Sequence, residues 1–314
     1  MLRKLSLIAI LLGATAVGAQ AQDLRIALQS DADVLDPDQS RTFVGRIVYT
    51  ALCDKLVDIT PELDLIPQLA TDWSWNDDQT ELTMQLREGV TFHDGEPFNA
   101  EAVAYNINRS QTLEESRRKS EVASITGTEV TGEYEIKISL AQPDATLLAQ
   151  FADRAGMMIS PAAAEEAGAD FGLNPVCSGP FAFDNRVAQD RIVLTKFDDY
   201  WNADEINFDS VTYLPIPDNT VRFANLQSGD VDIIDRLAAT DLEQAESASD
   251  IEVASAVSLG YQGMTINVGN GDRADSPIGQ NPKVRQALNL AIDRNALNQV
   301  VFNGAFAPGN QSFP

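Results

Sequence analysis

Residues 69–109 read LATDWSWNDDQTELTMQLREGVTFHDGEPFNAEAVAYNINR. Trp73 and Trp75 stand two apart, so a strand would point both to one face. Asn76-Asp77-Asp78-Gln79 supplies turn chemistry. Leu82, Met84 and Leu86 then alternate with Thr83, Gln85 and Arg87, the period of a half-buried strand. Asp94-Gly95 is a second turn signal, because glycine takes positive φ freely. Asn99 has the chemistry of a helix N-cap, and Glu101 puts a carboxylate in the first turn, where the helix dipole favours one. Val103 and Ile107 share the apolar side of that helix. The stretch predicts a hairpin, a tight turn and a capped helix, and it shows no obvious catalytic group.

The same residues carry a resemblance. Leu69-Ala70, Trp73, Asp78, Leu86-Arg87, Phe92-His93-Asp94-Gly95 and Ala100-Glu101 resemble the signature region of the peptide/nickel family (family 5) of extracellular solute-binding proteins, the receptors of ABC importers. Further segments are similar to that family along nearly all of the chain after residue 21. They include Leu35-Asp36-Pro37, Gly179-Pro180-Phe181, Phe197 to Trp201, Val211 to Pro217, Asp230 to Ile234 and Val284 to Arg294. Phe197-Asp198 stands where the family has Asn-Pro, and Cys177 where it usually has no cysteine. The resemblance implies an α/β fold, the two-lobe periplasmic-binding-protein architecture of type II kind, with the second lobe truncated. Family members continue well beyond two helices of that lobe, so the expectation is a fragment.

Composition fits. With 314 residues, 44% apolar and 22% charged, the chain has the makings of two globular domains. The net charge is −25, and without Arg3 and Lys4 it is 20 − 47 = −27. Such a surface repels nucleic acid and anionic membranes.

Residues 1–21 read as a secretory signal peptide. Arg3-Lys4 is the basic start, Leu5 to Val17 the apolar stretch, and Ala19-Gln20-Ala21 the small-x-small cleavage pattern. The apolar run is too short to span a bilayer, and no cysteine follows it to take a lipid. The expectation is export to a periplasm without an anchor. Cys53 and Cys177 are the only cysteines. In an exported chain they read as a disulfide, the alternative being two buried thiols. No cofactor is implied. No metal site is expected either, with no CxxC and His93 alone in a turn. Gln29 to Ser40 has calcium-loop spacing of Asp but lacks the central Gly and terminal Glu.

Local signals fill in the rest. Leu24 to Leu28 predicts a first strand, and Ser40 a cap for a helix burying Val44, Ile47, Val48, Ala51 and Leu52. Strands are expected at 121–130 and 134–140. Asp144 and Pro161 would start short helices, and Asp218 a helix that Gly229 stops. Leu259 to Val268 alternates like a strand. Pro282 and Asp293 would open two more helices, the second ending at Asn303-Gly304. Chain order gives a first-lobe core domain from 22–60 and 178–260, an inserted subdomain at 61–177, and the start of a second lobe at 261–314.

No P-loop, GxSxG or HExxH sequence is present. The resemblance implies a monomeric binding protein that closes on a small molecule or short peptide and docks on permease subunits. It brings to the cleft Leu35, Asp36 and Thr42, Ser178 and Gly179, and Tyr261, Gln262, Met264 and Asn267. Loop capping by Asp36 and plain strand packing by Tyr261 and Met264 remain alternatives. So do a periplasmic hydrolase acting through Cys177 or Asp36, and a non-peptide ligand such as a nickel complex, an opine or an oligosaccharide.

Overall fold

The computed structural model describes residues 22–256 and 260–309. The secretory segment expected at 1–21 lies outside them. The chain divides into two compact units. The first takes the described residues up to Ile26 together with Ser30–Pro215, and the second takes Ala27–Gln29 with Ile216–Pro314.

The first unit begins with β1 (Asp23–Leu28), whose last two residues are counted with the second unit, and α1 (Phe43–Leu52). Next come β2 (Val57–Ile59), β3 (Leu65–Pro67), β4 (Ala70–Trp75) and β5 (Glu81–Leu86). Then follow α2 (Ala100–Thr112), β6 (Ile125–Gly132), β7 (Glu135–Leu140), α3 (Leu147–Phe151) and α4 (Pro161–Ala167). It closes with β8 (Phe181–Val187), β9 (Arg191–Lys196) and β10 (Ser210–Pro215).

The quoted stretch folds as its residues dictate. β4 and β5 pair antiparallel, with Trp73 opposite Met84 and Trp75 opposite Leu82. At the turn between them Gln79 has φ 55°, and the Asn76 side-chain oxygen accepts the amides of Thr80 and Glu81. Gly95 sits at φ 86°. Asn99 caps α2 by accepting the Ala102 amide at 3.0 Å. The sheet runs β4-β5-β7-β6. Leu82, Met84 and Leu86 join Ile136, Ile138 and Leu140 under Val103 and Ile107 of α2 in one buried core. Each aliphatic side chain buried there is worth about 1.5–3 kcal/mol.

A second sheet carries β1 beside β10, followed by β9 and β8. Three local expectations shift. Thr42, not Ser40, caps α1, accepting the Gly45 amide at 3.1 Å, because the Ser40 hydroxyl is committed to Asp33 at 2.8 Å. The strand expected from 121 starts at Ile125, because the amides of Glu121 and Val122 bond back to the Arg118 carbonyl in a turn. Tyr49 replaces Ile47 and Ala51 among the fully buried residues of α1, its hydroxyl donating to the Val34 carbonyl.

The second unit holds α5 (Asn219–Ser228), β11 (Ile233–Ile234) and α6 (Leu242–Ser247), then α7 (Pro277–Gln280), α8 (Pro282–Ala291) and α9 (Arg294–Phe302). Asp218 caps α5, and Gly229 ends it in the left-handed region at φ 76°. Within this unit the Asp235 amide bonds the Ala27 carbonyl at 2.9 Å. Asp293 caps α9, and Asn303 closes it at φ 50°. The strand expected at 259–268 is not formed: residues 260–267 run without regular structure. Alternation marks a face, but a strand also needs a neighbour to take its backbone groups, and among the described residues none pairs with it.

Candidate functional site

The loop between β1 and α1 is built on three carboxylates. Asp33 accepts the Ser40 and Thr42 hydroxyls at 2.8 and 2.9 Å and the Arg41 amide at 2.7 Å. Burial works to raise the Asp33 carboxyl, but these hydrogen bonds outweigh it and hold it below the usual carboxylate range. Asp36 is fully buried. Its Oδ1 accepts the Asp38 amide at 2.9 Å and Arg109 Nη1 at 3.2 Å. Its Oδ2 accepts Gln39 at 3.0 Å and Arg109 Nη2 at 2.7 Å. A carboxylate offers about four acceptor sites, so none is left for a solute. Asp38 takes the same guanidinium at 2.5 Å and the Ser110 hydroxyl at 2.6 Å. Burial pushes the Asp38 carboxyl up, against the pull of Arg109. Arg109 lies over the Phe171 ring at 5.4 Å. Asp36 is therefore the anchor that ties the loop to α2, the loop-capping reading.

The return segment at 177–180 is pinned as firmly. Cys53 and Cys177 form a disulfide with Cα atoms 4.9 Å apart. His93 of the quoted stretch bridges to the same place. Its Nδ1 accepts the Cys177 amide at 3.3 Å, which puts the ring proton on Nε2, 2.9 Å from the Gly179 carbonyl. Burial lowers the His93 pKa, in keeping with a neutral ring. Ser178 is buried, with its hydroxyl 3.3 Å from the Met158 carbonyl. A Cβ on Gly179 would lie 2.6 Å from the Leu52 carbonyl, so the backbones meet there only because the residue is glycine.

Of the nine residues expected at the cleft, five belong to the first unit. Leu35, Asp36, Ser178 and Gly179 are buried, and only Thr42, the cap of α1, is partly exposed. In the second unit Tyr261, Gln262, Met264 and Asn267 are exposed. Asn267 folds on itself, accepting the Asn270 amide at 2.9 Å. Exposed Tyr261 and Met264 are not strand packing, which was their alternative.

Sequence reading missed a cluster of arginines around Thr42. Arg154 Nη1 donates to the Ser40 and Thr42 carbonyls, both at 3.3 Å, and Arg118 Nη2 to Ser40 at 3.2 Å. Arg46 pairs with Asp153 and Arg118 with Glu121. No local signal marks this cluster, because 72 and 36 residues of sequence separate the three.

A sequence profile described as "Bacterial extracellular solute-binding proteins, family 5 Middle" matches residues 64–314. The chain belongs to family 5 of the bacterial extracellular solute-binding proteins. Relatives include the "Glutathione-binding protein GsiB" of Escherichia coli strain K12 and that of Shigella flexneri, each 33% identical over 295 residues, 94% of this chain and 56% of theirs. The chain thus spans a little over half the length of these curated relatives. Among solved structures, NikZ of Campylobacter jejuni in complex with Ni(L-His) superposes with TM-score 0.81 at 21% identity, over 90% of this chain and 55% of that one. A dipeptide binding protein of Pseudoalteromonas sp. SM9913 in complex with Met-Leu gives 0.78 at 23% identity, over 90% and 59%. These likenesses show that the fold is that of the periplasmic binding proteins. Among the described residues no group of His, Cys, Asp and Glu could hold a metal ion, and no helix is long and apolar enough to cross a membrane.

Proposed function

We propose that this family 5 chain is the substrate-binding component of an ABC importer. It captures short peptides, glutathione-like tripeptides among them, in the periplasm and hands them to permease subunits as a monomer. The observation that carries the reading is the 33% identity to glutathione-binding proteins across 94% of the chain. The secretory pattern of residues 1–21 supports export. The domain division expected from the sequence, 22–60 with 178–260 around an insertion at 61–177 and a second lobe from 261, draws support from the sheet shared by β1 and β10 and from the separate sheet β4-β5-β7-β6. Two features weigh against the hydrolase alternative. The Cys177 sulfur is in a buried disulfide and cannot act as a thiolate nucleophile, and Asp36 has no free acceptor.

The test is titration of the purified protein with glutathione and with Met-Leu, followed by the fluorescence of Trp73, Trp75 and Trp201. Saturation at one equivalent, with the solute recovered chemically intact, is the expected result. Release of a cleaved product would replace the binding reading with an enzymatic one.

A further inference from the structure

The chain contains two Asn-Gly pairs, Asn270-Gly271 and Asn303-Gly304, both in the second unit. Such a pair carries its own chemistry. Glycine has no Cβ to shield its amide nitrogen, so that nitrogen can reach the side-chain carboxamide carbon of the asparagine before it. Both pairs are exposed, and hydrogen bonding is what separates them. At the second pair both reacting groups are committed. The Gly304 amide donates to the Asn298 carbonyl at 3.1 Å where α9 ends, and the Asn303 side-chain nitrogen donates to the Ala239 carbonyl at 3.2 Å. Attack there must first break the helix cap and draw the side chain away from Ala239.

At the first pair neither group is held. Among the described residues nothing accepts the Gly271 amide and nothing pairs with the Asn270 carboxamide. Gly271 lies at φ 68°, and a Cβ there would meet nothing within 4 Å, so the approach to its nitrogen is open. The main chain beside it is organised. Asn267 Oδ1 accepts the Gly269 and Asn270 amides at 3.3 and 2.9 Å, and Asn267 Nδ2 donates to the Asn270 carbonyl at 2.8 Å. That carbonyl and the Gly271 N–H belong to one peptide group. The Asn267 donor is therefore already aimed at the negative charge that develops when the nitrogen loses its proton.

We propose that Asn270 is a site of spontaneous self-modification, converted to aspartate and isoaspartate through the Gly271 amide. Gly271 N bonds to Asn270 Cγ and the Cγ–Nδ2 bond breaks. The carboxamide nitrogen leaves as ammonia, taking up the proton that Gly271 gives away. Water then opens the cyclic imide. Attack at Cγ restores the original main chain and leaves aspartate. Attack at the main-chain carbonyl carbon of residue 270 leaves isoaspartate, with the chain routed through Cβ. Either product adds a negative charge. Isoaspartate also takes the main-chain carbonyl away from Asn267 Nδ2, so the clasp over 267–270 opens. This chemistry needs no bound solute and is independent of the binding reading.

The experiment incubates the purified chain at mildly alkaline pH, which favours loss of the amide proton, and digests samples with trypsin at intervals. Cleavage after Arg236, Arg273 and Arg294 puts the two pairs on separate peptides. Mass spectrometry follows the exchange of amide for acid in each, and enzymatic methylation of isoaspartyl groups counts the rearranged product. Asn270 should convert about tenfold or more faster than Asn303, the effect of the two hydrogen bonds that restrain the latter. In urea, where those bonds are gone, the two rates should approach each other. Gly271→Ala should slow conversion at Asn270 several-fold, a slowing that unfolding cannot produce. Faster conversion at Asn303, or equal rates in the folded chain, overturns the site. So does an Asn270 that stays intact in the folded chain while it reacts in urea, or one whose rate is indifferent to Gly271→Ala.

Discussion

Asp54 is 2% exposed and accepts hydrogen bonds from three neutral donors: Trp201 Nε1 at 2.6 Å, Gln68 at 3.0 Å and the Tyr200 hydroxyl at 3.2 Å. The nearby Lys55 ammonium is paired with Asp58 instead. Burial dominates, and the Asp54 carboxyl is pushed up to about 6 from 3.8. A carboxyl whose folded pKa lies above its unfolded value binds its proton more tightly in the folded state. Its contribution is therefore most favourable below about pH 4, and it is lost as pH rises through about 6. The difference of 6 − 3.8 units corresponds to on the order of 3 kcal/mol. Asp54→Asn removes this dependence. The variant should gain stability relative to the parent by roughly that amount between pH 4 and pH 7, read from urea midpoints at each pH. A difference between the two proteins that stays constant over that range would show that Asp54 does not titrate in the window.

Several elements were legible from local signals because their causes are local. The β4–β5 hairpin, the Asn99 cap and the Gly229 stop follow from residues within a few positions of one another. What escaped was set by partners far along the chain. Asp36 meets Arg109 across 73 residues, Trp201 reaches Asp54 across 147, and Arg154 meets Thr42 across 112. The family resemblance supplied positions such as Leu35, Ser178 and Gly179, but it could not say that these residues are buried. The link between α1 and the return segment shows the energetic side of such long closures. The Cys53–Cys177 bond spans 124 residues, and chain entropy gives it an upper value of about 4–5 kcal/mol. Reduction should lower the urea midpoint of the first unit by a corresponding amount, and Cys53→Ser should reproduce the shift without reductant. Two free thiols titrating in the unreduced, unfolded protein would contradict the bond itself.

At the scale of the whole molecule, apolar burial is shared unequally between the two units. The first unit encloses the large core from Leu56 to Met158. Among residues 260–309 only Ala274 and Gly279 are buried. In helices α8 and α9 Leu290 is 75% and Val300 80% exposed, Val284, Leu297 and Val301 are exposed as well, and so is Phe306 just after α9. Each square ångström of that surface left in water forfeits about 25 cal/mol of stabilisation, and helices of nine or ten residues draw little stability from propensity alone. Local opening is therefore easiest in this part of the second unit, while the first unit opens only with its core and its disulfide. Limited proteolysis should cut first between residues 260 and 309, leaving a resistant fragment that retains both cysteines and Trp201. Thermal unfolding should then fail the two-state test, with probes in the two units reporting different midpoints. Mass spectrometry of the early fragments decides the matter, and first cleavage within 69–196 would mean that buried core does not govern which unit yields.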